Sequence, residues 1–420
     1  MYKETLNFNN IKKIYFIVCT FCAFFFWDIK TFFIDTEFYY FFELRIIFLT
    51  LIFFSLPLKI ELNKKLITFV LIITIQELIS IFIYDYNNLR NIFSFLILFL
   101  ILIISIKNYE LILKSIKISF EIILYTIFIF IIFELFNNNY SLGNACNIIF
   151  FNQRFIFYEN SHLIFFLPSA IIYYNFLSFI KQEYKYKFLL TISLIVFFSF
   201  FSLTLYLSLI LTLLMLYIFK LNKYFNPKSQ TIFFLIFLIG FSFTYFNENC
   251  NKRLKDVYKI FSFLEFNKEL VIEKKEYSAI NKEIMKQALL NESSAVLVDH
   301  LIITKESLKK YPLGVGINNY NFPFEKFTNK NINPSALNYN DGRMVFLKSL
   351  TEFGLFLIFY AFIFFKFLNE NTIDNKVKFL LFPMITSQLI SGFGYFNGGF
   401  LITFILIFVF YLKSNSNKNI

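Results

Sequence analysis

Stretches of about twenty apolar residues, the length an α-helix needs to cross roughly 30 Å of hydrocarbon, recur from one end of this chain to the other. A water-soluble globule interrupts such runs with polar positions at helical spacing, so the pattern demands helices whose backbone groups satisfy one another inside a lipid layer. Composition agrees, with 58% hydrophobic and 22% aromatic residues and a mean hydropathy of +0.62 over 420 residues. The expected fold class is all-α, a polytopic integral membrane protein of about twelve transmembrane helices.

The expected spans are 14–33, 38–57, 66–84, 91–106, 116–136, 162–180, 188–202, 204–220, 230–247, 344–367, 377–394 and 398–413. Lysines test this order, because basic residues collect in cytoplasmic loops. They fall in alternate connections: Lys12 and Lys13, then Lys59, Lys64 and Lys65, then Lys107, Lys114 and Lys117, then Lys181, Lys185 and Lys187. The series continues with Lys220, Lys223 and Lys228, then Lys366, Lys376 and Lys378, and ends with Lys413 and Lys418. Both termini are therefore expected in the cytoplasm. The formal charge of +12 sets orientation, with no basic face carrying interleaved exposed aromatics of the kind nucleic acid requires. The first apolar run holds an acid and a lysine and lacks a small-residue cleavage motif, so it is expected to be retained as a span.

Three regions follow: helices one to nine over 1–247 with an outer loop at 137–161, a large outer segment at 248–343, and helices ten to twelve with a tail over 344–420. Within the outer segment, 251–264 places Leu254, Val257, Tyr258 and Phe261 on one stripe, and 294–310 opens at Ser294 and stops before Pro312. Both are expected to be amphipathic helices near the membrane surface. Eight of ten glycines fall in the last quarter, among them Gly314, Gly316, Gly342 and Gly354, where backbone bends or approaches something closely. No internal repeat is evident, which gives an inverted-repeat transporter no support.

Arginine use is asymmetric. The chain has 35 lysines but five arginines, Arg45, Arg90, Arg154, Arg253 and Arg343, each in an outer loop or the outer half of a span. The basic residues divide about evenly between the two sides, so chance places all five arginines outside about one time in forty, and the orientation rule treats both residue types alike. A guanidinium is a rigid, permanently charged fork suited to two-point contact with phosphate. Arg45, inside span two, needs a partner because a lone mid-membrane charge costs about 3 kcal/mol or more; Glu77 in span three is preferred over Glu43, which lies on another helix face.

Other chemistry-bearing residues are few. The stretch "NQRFIFYENSH" brings Arg154, Glu159 and His162 to the rim of span six, as a binding or proton-transfer group or as a helix cap beside a solvated histidine. His300 sits on a stripe with Leu297, Leu301, Thr304 and Leu308, which favours packing over catalysis. Two histidines far apart make zinc improbable, and no Walker or GxGxxG pattern appears. Cys19 and Cys22 lie within span one as packing residues; Cys146 and Cys250, both outside, are free to form a bridge.

Three stretches, "NQRFIFYENSH" before span six, "SLKKYPLGVGINNY" at 307–320 and "DGRMVFLKSLTEFGLF" at 341–356, together with the late large outer loop, resemble the O-antigen polymerase and ligase superfamily (Wzy and WaaL types). Ligases show a His-Asn pair ahead of a glycine at the entry to span ten; the corresponding pair here is Arg343 and Met344 ahead of Gly354, which looks more like the polymerase branch. An arginine expected early in the preceding helix is not evident near Leu297.

The resemblance implies a GT-C-like glycosyltransferase of the bacterial inner membrane that moves a growing glycan from undecaprenyl pyrophosphate onto a lipid-linked repeat unit at the periplasmic face. It implies no cofactor and no metal. Its partners would be the lipid-linked oligosaccharide and membrane lipid, with a chain-length regulator and a flippase as further candidates, and no nucleic acid. Arg154 and Arg343 are the candidates for neutralising the departing pyrophosphate, and Glu159, His162, His300 and Asp341 for the base. Arg45, Arg90, Arg253, Gly314, Gly316 and Tyr320 are the candidate substrate-binding residues. A ligase acting on lipid A core, a flippase for lipid-linked oligosaccharide and a purely structural membrane protein are the alternatives.

Overall fold

A computed structural model describes residues 14, 64–83, 89–136, 163–164, 166–199, 203–225, five positions between 231 and 242, 292–328, 339, 342–390 and 400–416. Among the described residues the structure is all-helical. The helices used below are α1 (Lys64–Ile83), α2 (Leu89–Phe136), α3 (Leu167–Lys181), α4 (Tyr184–Ser199), α5 (Leu203–Ile218), α6 (Glu292–Lys310), α7 (Asn321–Phe327), α8 (Val345–Phe353), α9 (Leu357–Asn369), α10 (Asn375–Ile390) and α11 (Phe400–Ser416).

Helix α1 shows why this chain needs lipid. Leu71, Ile75, Leu78 and Phe82 recur on one face and are 52%, 47%, 45% and 79% exposed, whereas Gln76, Glu77 and Ser80 on the other face are buried. Apolar outside and polar inside inverts the soluble pattern, and in water such a stripe would drive association. Three helical stretches among the described residues, Lys64–Phe82, Ser105–Phe133 and Val345–Asn369, are long and apolar enough to cross a membrane. The chain is a membrane protein on that ground.

Helix α3 is the hub. Every residue from Leu167 to Leu177 is buried, and α3 packs against α4 and α10, while α10 in turn packs on α5 and α11. Pro168 in its first turn removes an amide that would have no helical partner, and left-handed Gln182 (φ 53°) ends it. Aromatic rings fill the seams: Phe176 lies 4.5 Å from Phe379, Phe364 stacks on Phe382 at 5.3 Å, and Phe69 of α1 stacks on Phe408 of α11 at 4.1 Å. At the α9–α10 turn the buried Lys378 donates its Nζ to Leu368 O at 2.8 Å, placing a cation on the carbonyl end of α9.

Within α2 two helices meet at a kink at Asn108 (φ −118°, ψ 19°), so the expected spans 91–106 and 116–136 fall on separate helices, the second beginning earlier than expected. Residues 109–116 are helical because Ile112, Leu113 and Ile116 are buried on one face while Lys114 is exposed, so the lysines that suggest a loop lie along a helix. The expected span 344–367 is divided, at Gly354 (φ 52°, ψ −132°), into α8 and α9. Helix α6 starts at Glu292, so Ser294 lies in its first turn. Expected spans 38–57 and nearly all of 14–33 and 230–247, the 251–264 helix and all four cysteines lie outside the described residues.

Hydroxyls tie neighbouring helices together inside the bundle: Thr212 of α5 and Thr386 of α10 share a buried hydrogen bond of 2.8 Å, and Ser169 donates to Leu380 O at 2.5 Å. A double-mutant cycle of Thr212→Val and Thr386→Val in detergent should give a coupling energy near 0.6 kcal/mol and under about 2 kcal/mol, because unfolded helices in lipid also find partners. Zero coupling would show that the hydroxyls do not meet.

Candidate functional site

Two of the three stretches singled out in the sequence lie against each other. The segment 312–320 leaves α6 at Pro312 and packs on α8 and on the end of α1 near Ser80. Val315 N–H donates to Thr351 O at 3.2 Å, Gly316 N–H to Glu352 O at 3.0 Å, and Leu355 N–H to Pro312 O at 2.9 Å. Glycine is needed on both sides. A Cβ on Gly314 would lie 2.2 Å from Glu352 O, and one on Gly354 would lie 2.3 Å from Pro312 O and 2.4 Å from Gly314 N, all of them backbone atoms that cannot swing aside. Gly314 (φ 85°) also adopts a backbone that other residues rarely hold.

Side chains then collect the amides this sharp path leaves over. Glu77 Oε1 accepts from Ile317 N–H at 2.7 Å. Glu352, fully buried, accepts from Asn318 N–H at 2.9 Å and Tyr320 N–H at 3.1 Å, and its Oε1 lies 3.1 Å from Lys348 Nζ, itself 2% exposed. Gln76 Nε2 donates to Glu352 O at 2.9 Å while its Oε1 accepts from Tyr360 at 3.2 Å. Ser80 donates to Val315 O, and Asn319 Nδ2 donates to the same carbonyl at 2.8 Å. Carboxylates that accept amides and hold an ammonium in a low-dielectric setting are strongly retained, because each unsatisfied group there costs several kcal/mol.

The candidate site residues divide as follows. Arg343 stands at the entrance to α8, half-buried, with left-handed φ of 62° directly after Gly342 at 65°, a conformation that costs a non-glycine residue about 1 kcal/mol and so marks a position set by its surroundings. His300 of α6 is fully buried; its Nδ1 lies 2.7 Å from the Tyr320 hydroxyl, and its ring packs 5.6 Å from Phe324. Burial holds the Tyr320 phenol well above its ordinary value, so it stays neutral. The close approach that Gly314 and Gly316 permit is to Glu352 and Ser80 of this chain. Arg90 falls in the first turn of α2. Arg45, Arg154, Glu159, His162, Arg253 and Asp341 lie outside the described residues, so the expected proximity of Arg154 to Arg343 and the Arg45–Glu77 pair do too.

Glu352 and Lys348 escaped the sequence reading, although an i,i+4 Lys/Glu pair inside an otherwise apolar helix is the signal that finds them. Among the described residues no group of His, Cys, Asp and Glu is placed to hold a metal. Compared with family models, with curated proteins and with solved structures, the chain has no match.

Glu352→Ala should strip the 318 and 320 amides and the Lys348 ammonium of their shared acceptor, lowering stability by about 3–5 kcal/mol in detergent unfolding. Adding Lys348→Met should recover part of that loss by removing the stranded charge; no recovery would mean the pair is not buried. Gly314→Ala should be comparably damaging and should not be relieved by either change.

Proposed function

We propose that this protein is a polysaccharide polymerase of the bacterial inner membrane, a glycosyltransferase that moves a growing glycan from undecaprenyl pyrophosphate onto an incoming lipid-linked repeat unit. In this reading the chain has about twelve spans in a GT-C-like arrangement, with both termini in the cytoplasm and residues 248–343 in the periplasm. One observation supports it above others. The 307–320 and 341–356 stretches, which carry much of the resemblance, pack into one body that holds Arg343 in a costly conformation at the mouth of an apolar helix.

The chemistry asks little else of the chain. The acceptor hydroxyl forms a bond to the anomeric carbon as the bond from that carbon to the pyrophosphate oxygen breaks, the electron pair leaves with the lipid pyrophosphate, and the hydroxyl proton passes to a base. Negative charge grows on the leaving group, and Arg343, with Arg154, is placed by this reading to meet it; losing one such cation commonly costs about 10²–10³ in rate. With His300 enclosed beneath Tyr320, the base falls to Asp341, Glu159 or His162, and His300 becomes a positioning residue for the 312–320 segment.

The test is the surface-glycan ladder of a null strain complemented with variants. Loss of the gene should leave core carrying a single repeat; loss of every repeat would indicate a ligase instead. Arg343→Lys should fail to restore long chains, and full restoration would remove the fork argument. Arg343→Gly should keep or slightly raise the unfolding temperature, since glycine relieves the positive φ, while abolishing chain extension. A fall in stability together with retained extension would contradict the assignment.

A further inference from the structure

Two lysines converge on one phenol at the surface of the 292–328 region. Lys326 Nζ donates to the Tyr311 hydroxyl at 2.9 Å, and the Lys326 and Lys310 ammoniums lie 5.6 and 5.9 Å from the centre of the Tyr311 ring. Phe322 lies 5.6 Å from Lys326 as well. Both lysines are exposed while Tyr311 is only 6% exposed, so solvent-facing cations stand over a buried aromatic platform. Each cation feels the other: Lys326 pulls Lys310 below its ordinary value, and the Tyr311 hydroxyl holds Lys326 above its own. Nearby carboxylates are engaged elsewhere, Glu306 with Lys309 at 2.7 Å and Glu325 with the Tyr339 hydroxyl. Two ammoniums this close repel, and an anion between them turns the repulsion into attraction.

An apolar surface begins two residues on. After Tyr311 the chain turns, with Gly314 N–H donating to Tyr311 O at 2.9 Å, and Leu313 inside that turn lines a shallow open groove of about 510 Å3 with Leu355, Phe356, Ile358, Phe359 and Phe362. Leu355, Ile358 and Phe362 are 59%, 69% and 49% exposed on a stretch, Val345–Asn369, that is apolar and long enough to span a bilayer. Residues 311 and 313 are separated by at most about 7 Å of chain, so the residue that carries the cations and the residue that heads the groove are backbone neighbours. Charge at one end and hydrocarbon at the other match an amphiphile.

We propose that Lys310, Tyr311 and Lys326, together with the groove headed by Leu313, bind an anionic glycerophospholipid, its phosphate between the two ammoniums and an acyl chain along α9. Lysine serves here as a point charge for a single phosphodiester, and the groove is open along its length to lipid diffusing in the bilayer. This site requires only that the chain sit in a membrane; it stands or falls independently of glycosyl transfer. Its consequence is to hold the Pro312–Tyr320 segment at the lipid surface.

The full chain, purified in neutral detergent, is titrated with phosphatidylglycerol, phosphatidylcholine, a polyprenyl phosphate or inorganic phosphate while thermal unfolding is followed. Phosphatidylglycerol should raise the unfolding temperature by about 3 °C beyond phosphatidylcholine. The exposed double variant Lys310→Gln/Lys326→Gln should fold normally and lose that difference, and Ile358→Ala/Phe362→Ala should reduce it. The proposal is overturned if the lysine variant keeps the shift, if phosphatidylcholine matches phosphatidylglycerol, or if inorganic phosphate alone reproduces the effect. A larger shift with polyprenyl phosphate also overturns it, and would assign the groove to a lipid carrier.

Discussion

The Glu352 carboxylate is the point on which the rest of the described structure depends. A chain segment that turns sharply beside apolar helices exposes amides to surroundings without water, and each unpaired amide there costs several kcal/mol. Glu352 takes two of them, from Asn318 and Tyr320, and Glu77 takes that of Ile317. Lys348, one helical turn back, keeps the charge of Glu352 from standing alone. Replacing these groups by carbon would leave the 317, 318 and 320 amides without those acceptors, so the fold of that segment and the polar side chains of α1 and α8 are one arrangement.

That arrangement reaches the candidate chemistry through geometry. Glu352 and Arg343 flank the same short helix: one end is locked to the segment through Gly354 and Gly314, and the other begins at the left-handed Gly342–Arg343 pair. A nine-residue helix fixed at one end has little freedom at the other, so the guanidinium is carried on a rigid base rather than on a loose loop. His300 works on the same body from the far side, where its bond to Tyr320 joins α6 to the start of α7. The strained residue and the buried network are parts of one support.

The all-helical class was plain in the sequence because twenty-residue apolar runs admit little else, and the ends of α1, α4, α5, α10 and α11 fall within a few residues of the expected spans. The helical stretch 109–116 and the break at Gly354 were read differently for opposite reasons. Lys107 and Lys114 suggested a loop, yet on a helix they emerge beside a buried face; at Gly354, a stretch of helical length hid a break that one positive φ supplies. The clustering of glycines was visible, but its cause was not, since the atoms they approach belong to residues far away in the chain. Glu77 illustrates the limit: it drew notice as the partner of Arg45, and among the described residues it accepts from a backbone amide 240 positions on. Pairing of that range leaves no local trace in one sequence.

Hydrogen exchange of the backbone amides at Ile317, Asn318 and Tyr320, measured on the full chain in detergent or bilayer discs, tests the central claim most directly. If buried carboxylates hold this segment, these amides exchange as slowly as those in the middle of α3, and Glu352→Ala speeds the 318 and 320 amides more than that of 317. Exchange at the rate of an open surface loop in the unaltered protein would contradict the account.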